Sequence, residues 1–310
     1  MSISADMPRA AQTLGILGGG QLAGMMLPVA RRLGIHTVVL DRAGSPAEAL
    51  CDEFLEGSPL DREAVVRLGA RAGIVTFEIE GVNADALAEL EALGVTVRPS
   101  SSVIRTVQDK GLQKEFFSGQ GLPTAEYALV ESPAKAAALE HLFPAMVKLR
   151  RGGYDGRGVF AAATPADLHG LPALPVVVER RLKIEREISV IVARGADGAA
   201  RAFPPVEMVF DPKRNQLDYL ISPSPAPQAL QNRTVELAIQ VADRLGVVGL
   251  LAVEFLITAG GEVWINEVSP RLHNSGHHTI AGARTSQFEQ FLRAVMGWPL
   301  GPTDLQGAAC

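Results

Sequence analysis

Cysteine is almost absent from this chain of 310 residues, which has only Cys51 and Cys310. Two cysteines cannot form a disulfide framework or a cysteine-based zinc site, so the chain is not a small disulfide-rich secreted domain. Such low cysteine usage is typical of a protein that stays in a reducing compartment. We therefore expect a cytoplasmic protein.

A long apolar run and a strong net charge are also missing. No stretch approaches the roughly 20 apolar residues of a membrane span. Residues 1–12 are polar and lack the apolar core of a signal peptide, so we expect a disordered extension there. The net charge is only −5, which argues against a nucleic-acid or membrane partner held by bulk charge. With 47% hydrophobic residues, the chain can instead bury a packed core.

Strands and helices alternate in the first third of the chain. Apolar runs at Thr13–Leu17, Thr37–Leu40 and Ile74–Phe77 predict buried strands, and the amphipathic stretch Gln21–Leu33 predicts a helix between the first two. Buried strands that alternate with helices of this length indicate a parallel sheet with right-handed crossovers. The sequence therefore predicts an α/β first domain.

The remainder of the chain has a different pattern. Val107–Gln120 predicts one charged helix, and strands at Pro144–Leu149 and Val159–Ala162 enclose a glycine-rich loop, which predicts a hairpin. From Glu187 onward the strands are longer, for example at Arg201–Val206. This part is expected to be α+β with a largely antiparallel sheet.

The first strand is followed by a glycine-rich turn that opens a helix. Gly18-x-Gly20-x-x-Ala23, with Asp41 roughly 20 residues further on, satisfies the dinucleotide-binding fingerprint. In that interpretation the helix N-terminus offers its N–H groups to a phosphate. Two other interpretations stay open: a tight turn of any doubly wound sheet, or a loop for another phosphorylated or sugar-bearing ligand that uses Gln21.

Two acidic residues, Glu78 and Glu80, follow the strand that ends at Phe77. The carboxyl end of a parallel sheet is where ligands bind in such folds. For Glu80 we favour a solvated loop position over a functional one.

The loop Arg150–Gly158 contains four glycines and three arginines, and Lys148 precedes it. Backbone amides and cations are what polyphosphate oxygens require, so the loop predicts a phosphate-related role. A plain hairpin turn is the alternative.

Glu254 and Glu267 lie on two predicted neighbouring strands, between apolar residues. Buried carboxylates are costly unless they are paired or bind a metal. Together with the Asn266 amide they are the hard oxygen ligands that suit Mg²⁺ bridging nucleotide phosphates. A buried salt bridge is the alternative.

A dense polar segment, Ser269–His278, follows directly. Its three histidines invite a zinc interpretation, but their spacing matches no clear helical or metalloprotease pattern. Arg271 suits an anionic intermediate because its guanidinium can bind two oxygens at once.

These segments together resemble the ATP-grasp superfamily and, within it, the 5-(carboxyamino)imidazole ribonucleotide synthases of purine biosynthesis. The matching segments are Gly15–Leu22, Val75–Glu80, Gln108–Lys110, Gly152–Gly158, Glu187–Ser189, Ile265–Glu267 and Ser269–His277. The resemblance implies an ATP-grasp fold behind a Rossmann-like substrate-binding domain at 13–100, with a small lobe at 101–180 and a large lobe at 181–310.

The resemblance also implies the site. ATP would be bound by Lys110, Lys148, Gly153, Tyr154, Asp155, Gly156, Arg157, Gly158, Glu179, Arg180, Arg181, Leu182, Glu187, Asn266 and Glu267. Aminoimidazole ribonucleotide would contact Gly20, Gln21, Leu22, Glu78, Tyr154, Asp155, Arg157, Arg271, His273 and Asn274. Arg271 and Lys148 would be catalytic, and Glu254 and Glu267 would hold Mg²⁺, as two ions.

The implied reaction is the ATP- and bicarbonate-dependent carboxylation of 5-aminoimidazole ribonucleotide through carboxyphosphate, in a homodimer. An ATP-binding protein with weak turnover and an NAD(P)-dependent oxidoreductase are the alternatives.

Two departures from the family pattern bear on the choice between these functions. Phe210 ends a segment, Glu207–Phe210, where the family often has Glu-Asn-x-His. The family also continues into a small basic C-terminal lobe that grips the substrate 5′-phosphate, and this lobe is expected to be missing from a chain that ends at Cys310.

Overall fold

The computed structural model describes residues 13–152, 158–211 and 216–307. Three sheets follow one another along this part of the chain, and each is built from a consecutive stretch of sequence. The first is parallel, and the second and third are antiparallel. The domain boundaries near residues 100 and 180 remain predictions.

The first sheet has five parallel strands in the order β3-β2-β1-β4-β5. The strands are β1 Thr13–Leu17, β2 His36–Asp41, β3 Glu53–Glu56, β4 Ile74–Phe77 and β5 Thr96–Val97. The helices of this sheet are α1 Gln21–Arg32, α2 Arg62–Gly69 and α3 Ala84–Ala92. The predicted parallel sheet is thus confirmed. The strand β3 was not predicted, because it lies at the sheet edge and has a glutamate at each end, so it lacks the apolar signal of a buried strand.

The second sheet has four antiparallel strands in the order β6-β9-β7-β8. The strands are β6 Tyr127–Val130, β7 Ala145–Leu149, β8 Val159–Ala162 and β9 Val176–Arg180. Lys148 of β7 pairs with Val159 of β8, so the predicted hairpin around the glycine-rich loop is confirmed.

The third sheet has six strands, with β13-β12-β10-β14-β15 in order and β11 beside β10. The strands are β10 Ile184–Arg194, β11 Ala200–Ala202, β12 Val206–Asp211, β13 Gln216–Ile221, β14 Gly249–Thr258 and β15 Val263–Ser269. The single strand predicted at Arg201–Val206 is wrong. Phe203-Pro204-Pro205 separates β11 from β12, because proline has no N–H to donate to a neighbouring strand.

Two long helices cover the two faces of this third sheet. Val190 of β10 packs in one core with the helix α6 Gln228–Leu245, and its neighbour Ile191 packs in another with the helix α8 Gln287–Met296. Successive residues of a strand point to opposite faces, so a sheet covered on both faces has strands that are apolar throughout. A short helix, α7 Thr279–Gly282, precedes α8.

The helix predicted over Val107–Gln120 is in fact two helices, α4 Ser101–Val107 and α5 Lys110–Gly119. Asp109 separates them, because its carboxylate accepts the N–H of Gly111 at 2.8 Å and so caps α5. The same carboxylate binds Arg150, with its two oxygens each 2.9 Å from a guanidinium nitrogen. The chain turn at Asp109 thus joins α5 to the end of β7.

Among the described residues, no helix is both long and apolar enough to cross a membrane.

The double role of Asp109 gives a stability prediction. Asp61 caps α2 in the same way but is exposed and pairs with no arginine in the described part of the chain, so Asp61→Ala should lower the free energy of unfolding by about 1 kcal/mol. Asp109→Ala should cost about 2 to 3 kcal/mol, because it also leaves the Arg150 guanidinium unpaired. Urea denaturation of both variants checks this, and equal losses would show that the arginine contact adds nothing.

Candidate active site

The loop after β1 faces the loop after β4 at the point where the strand order reverses. Its N–H groups are already taken, because Gly19 donates to Asp41 Oδ2 at 2.7 Å and Gly20 donates to Glu78 Oε1 at 2.8 Å. Two carboxylates therefore stand where a dinucleotide would place its phosphates. The acidic residue that would bind the ribose, Asp41, is itself turned back onto the loop. This geometry disfavours the dinucleotide interpretation.

Glu78 is buried, with 3% of its surface exposed. Burial raises the pKa of its carboxyl, while the Gly20 N–H and the nearby Arg271 charge oppose the rise. A Cβ at Gly20 would lie 2.9 Å from Glu78 Oε1, so only glycine leaves room for the contact. Of the other predicted substrate residues in this loop, Gln21 is exposed and Leu22 packs against the core.

Arg271 connects the third sheet to this loop. It follows β15, and its Nε lies 3.2 Å from Glu80 Oε1. Glu80 is therefore not the simply solvated residue that the sequence favoured. The structure brings Glu78, Glu80 and Arg271 together although almost 200 positions separate them in the chain.

A buried carboxylate of the second sheet lies between two lysines, one from the same sheet and one from the helix α5. Glu179 Oε1 is 3.0 Å from Lys148 Nζ, and Glu179 Oε2 is 2.7 Å from Lys114 Nζ. Burial opposes ionisation of Glu179, but Lys148 and Lys114 hold its pKa below the usual value. Lys148 Nζ also donates to Asn266 Oδ1 at 2.9 Å. The sequence predicted Lys148 and Asn266 as site residues but not Lys114.

Burial lowers the pKa of Lys114 to about 8, against the attraction of Glu179. The reason this lysine was missed is that it looks like an ordinary charged residue of an amphipathic helix. Its burial depends on the second sheet packing against α5, which sequence periodicity does not report.

Two carboxylates face each other across neighbouring strands, as predicted. Glu254 of β14 pairs directly with Glu267 of β15. Glu267 forms an ion pair with Lys110, and this lysine holds the pKa of Glu267 well below its usual range. Glu254 Oε1 lies 3.4 Å from His273 Nε2. Glu267 thus forms a salt bridge, as the alternative interpretation expected, but the pair is only partly buried.

The donor set nevertheless fits a Mg²⁺ ion. Like charges directly opposite on a sheet are destabilising, and a divalent cation between Glu254 and Glu267 would remove the repulsion. Among residues 13–152, 158–211 and 216–307, no group of three histidine, cysteine or acidic side chains could hold a metal unaided. Magnesium commonly takes only one or two protein carboxylates and completes its shell with water and phosphate oxygens.

His273 is held by a network of its own. Its Nδ1 accepts the Ser275 N–H at 3.3 Å, which assigns the ring proton to Nε2, on the side of Glu254. The Gln287 amide accepts the His273 N–H at 3.0 Å and donates to the His273 carbonyl at 2.8 Å. Gln287 is fully buried and was not predicted, since a glutamine near the start of a helix carries no sequence signal. Asn274, also predicted, is exposed.

The predicted adenine segment, Glu179–Leu182, continues from β9. Its Arg180 and Arg181 N–H groups donate to the Glu126 and Pro144 carbonyls, each at 2.8 Å, so two of its amides are used within the protein.

Glu187 lies on β10, close enough to Glu254, Lys148 and Glu267 for their charges to act on it. Burial and the neighbouring Glu254 charge raise the pKa of Glu187 to about 7. In the same sheet, Glu207 accepts from Arg186 at 3.0 Å, and Phe210 is half-buried.

The predicted loop contacts are only partly within the described residues. Gly158 closes the loop stem, where its carbonyl accepts the Leu149 N–H at 2.8 Å. Gly153, Tyr154, Asp155, Gly156 and Arg157 lie outside the described residues.

The raised pKa of Glu187 predicts a pH dependence of stability. The folded chain keeps a proton that the unfolded chain releases near pH 4.5, so the free energy of unfolding should fall as the pH rises from 4.5 to about 7. The Glu187 contribution to this slope should be at most about 1 kcal/mol per pH unit, because the side chain is only partly buried.

Urea denaturation of the ligand-free protein at several pH values measures this slope, and Glu187→Gln should flatten it. The exposed neighbour Glu185 provides the control, since Glu185→Gln should leave the slope unchanged. Identical slopes for wild type and Glu187→Gln would show that Glu187 ionises normally.

Comparison with known proteins assigns most of the chain to two family models. Residues 11–108 match the family model of the ribonucleotide synthetase preATP-grasp domain, and residues 115–288 match that of the ATP-grasp domain.

Two relatives called N5-carboxyaminoimidazole ribonucleotide synthase are similar along nearly the whole chain. The protein from Mycobacterium bovis is 40% identical over 306 residues, which cover 95% of this chain and 70% of the relative. The protein from Synechococcus elongatus is 36% identical over 303 residues, which cover 95% of this chain and 76% of the relative.

Solved structures match equally well. The N5-carboxyaminoimidazole ribonucleotide synthetase of Thermotoga maritima superposes with a TM-score of 0.88 at 35% identity, over 96% of this chain and 79% of that one. The synthase of Aspergillus clavatus, in complex with ADP and 5-aminoimidazole ribonucleotide, gives a TM-score of 0.89 at 32% identity, over 97% and 81% of the two chains. The chain therefore belongs to the N5-carboxyaminoimidazole ribonucleotide synthase family, whose members are ATP-dependent ligases of the ATP-grasp fold.

Proposed function

We propose that this chain carboxylates the exocyclic amine of 5-aminoimidazole ribonucleotide, with ATP and bicarbonate, in purine biosynthesis. The observation that carries the proposal is the position of Arg271. Its guanidinium contacts Glu80 of the first-domain loop. Arg271 also lies two residues after β15, the strand that contains Asn266 and Glu267. In this proposal the phosphate-binding and substrate-binding residues therefore lie next to each other, as coupling two substrates through ATP requires.

The relatives support the choice of substrates. The Aspergillus clavatus synthase was solved with ADP and 5-aminoimidazole ribonucleotide together, and it shares the fold of this chain over nearly its whole length. In this proposal Gly20, Gln21, Leu22 and Glu78 contact the ribonucleotide from the first domain, and His273 and Asn274 contact it from the third sheet. Contacts from residues 153–157, the homodimer and the cytoplasmic location remain predictions.

Lys110 and Lys148 bind the phosphates of ATP in this proposal. Both ammonium groups are held inside the cleft by carboxylates, Lys110 by Glu267 and Lys148 by Glu179. Glu187 would bind the ribose hydroxyls, and backbone groups of Glu179–Leu182 would read the base, so that the Glu179 side chain does not touch it. Two Mg²⁺ ions held by Glu254 and Glu267, with Asn266 beside them, would neutralise the phosphate charge that builds up during transfer.

The chemistry joins bicarbonate to the amine in two steps. A bicarbonate oxygen attacks the γ-phosphorus of ATP, a new O–P bond forms, and the bond to ADP breaks, which yields carboxyphosphate and ADP. The amine nitrogen of the ribonucleotide then bonds to the carboxyl carbon, inorganic phosphate leaves with the former bicarbonate oxygen, and the nitrogen loses a proton. Positioning and charge neutralisation provide most of the catalysis in such a transfer.

In this proposal Arg271 holds the intermediate. Its guanidinium can bind two oxygens of an anion at once. Glu80 contacts it directly, and the charge of Glu78 acts on it from nearby. We therefore assign Arg271 to stabilise carboxyphosphate and the charge that develops as it reacts.

The proposal predicts that ADP release depends on both co-substrates. Purified protein with Mg-ATP should release ADP rapidly only when bicarbonate and 5-aminoimidazole ribonucleotide are both present, with one carboxylated product per ADP. A coupled ADP assay and direct detection of the product measure this. ADP release that ignores both co-substrates would refute the ligase assignment, and ATP binding without product would favour an ATP-binding protein with weak turnover.

The role of Arg271 predicts a selective defect. Arg271→Ala should lower product formation by about 100-fold or more while leaving ADP affinity within about twofold, because the residue stabilises the reacting anion rather than the nucleotide. Calorimetry with ADP and a product assay separate the two effects. Arg181, which is exposed and belongs to the base-reading segment, gives the contrast: Arg181→Ala should not reproduce this pattern. Equal loss of ADP affinity and product formation in Arg271→Ala would contradict the assignment.

A further inference from the structure

Lys114 is a buried lysine that the proposed reaction does not use. It lies one helical turn after Lys110 on α5, and 3% of its side chain is exposed. Its Nζ is 2.7 Å from Glu179 Oε2 and donates to Thr124 Oγ1, also at 2.7 Å. Lysine is rarely buried this fully without a functional or pairing reason.

Lys114 shares its partner Glu179 with Lys148, the lysine that is proposed to bind a phosphate of ATP. Glu179 meets Lys148 with its other oxygen, at 3.0 Å, and the side chains of Glu179 and Lys148 are 4% and 10% exposed. We call Lys114, Glu179 and Lys148 the charge trio. With both lysines protonated and Glu179 ionised, it contains two positive charges and one negative charge.

Stability alone does not require this arrangement. Lys148 and Glu179 would form a neutral buried pair by themselves, and each added buried charge costs several kcal/mol of desolvation. Burial does act against the charge of Lys114, since it lowers the pKa of this lysine. The second lysine therefore adds an expensive positive charge, which shares Glu179 with Lys148 and which Glu267 attracts from further away.

The trio is also fixed in position relative to the third sheet. Thr124 accepts from Lys114 and donates to the Ile265 carbonyl at 3.1 Å, while Lys148 donates to Asn266 Oδ1 at 2.9 Å. Both lysines are thus anchored to adjacent residues of β15. The excess charge lies beside the strand that contains Glu267.

We propose that Lys114 is a positioning residue for Lys148 and tunes its charge. By occupying one oxygen of Glu179, it prevents that carboxylate from neutralising Lys148 fully, so that the trio presents one net positive charge to an anionic phosphate of the nucleotide. The inference rests on the proposed function, in which Lys148 binds ATP. It adds a residue that acts without touching the ligand.

The test changes the net charge of the trio in steps. Lys114→Met keeps the length of the side chain and brings the trio to zero, Glu179→Gln brings it to +2, and the double variant Lys114→Met/Glu179→Gln restores +1. Calorimetric titration with Mg-ATP should show affinity at least about tenfold weaker for Lys114→Met and no weaker than wild type for Glu179→Gln. The double variant should recover most of the loss.

Recovery in the double variant distinguishes charge from packing, because a purely structural role would make two substitutions in one buried cluster worse than one. Lys135→Met provides the matched control. Lys135 is exposed and lies between β6 and β7 of the second sheet, so its loss should leave the affinity for Mg-ATP unchanged. In steady-state assays Lys114→Met should raise the KM for ATP and leave kcat within about twofold.

Three results would overturn the inference. Wild-type affinity in Lys114→Met would show that the second lysine is irrelevant, and weaker binding in Glu179→Gln would show that the carboxylate is needed for more than balancing charge. A double variant that folds but binds Mg-ATP no better than Lys114→Met would show that the net charge of the trio does not set the affinity. Failure of the wild-type chain to bind Mg-ATP would instead refute the proposed function, and this inference with it.

Discussion

Carboxylates of the protein itself occupy the donors of the cleft, and the rest of the site depends on this constraint. Four of the described groups expected to bind an anionic ligand already have an acidic partner. The pairs are Gly20 with Glu78, Arg271 with Glu80, Lys110 with Glu267 and Lys148 with Glu179. Because an unpaired charge is costly to bury, these carboxylates make a cleft rich in cations stable before any ligand arrives.

The same pairing couples the ligands to one another. In the proposed function, a phosphate that takes Lys110 from Glu267 frees that carboxylate, which faces Glu254 across the strand pair. Two ionised carboxylates so close repel each other, and a divalent cation removes the repulsion. Nucleotide and Mg²⁺ would thus favour each other's binding through the charges of this chain, without any change in its fold.

The arrangement of sheets explains why residues distant in sequence meet. The first sheet ends in the loops of Gly20 and Glu78, the second sheet provides Lys148 and Glu179, and the third provides Glu254 and Glu267. The described residues of the candidate site are thus divided among the three sheets. The turn at Asp109, which binds Arg150, joins the helix that carries Lys110 to the second sheet and so helps to fix the position of Lys110 relative to Lys148.

Part of this could be predicted from the sequence. Glu254 and Glu267 were expected on neighbouring strands because acidic residues between apolar ones stand out, and they prove to be direct partners. The parallel sheet and the hairpin were predicted for similar reasons. The helix break at Asp109 and the separation of β11 from β12 were not, because the apolar pattern runs through both places. There, one side-chain cap and two prolines decide the backbone path.

By itself, the sequence determined the family, the parallel first sheet, and the neighbouring strands of Glu254 and Glu267, because these depend on local patterns and short motifs. Only the tertiary structure decided which charged and polar side chains form pairs. Lys114 and Gln287 look like ordinary helix residues until the packing of the lobes buries them against Glu179 and His273. Glu80 similarly gains its partner, Arg271, only when the first and third sheets come together. The physical reason is that burial and pairing depend on surfaces contributed by distant segments, and no local pattern records these.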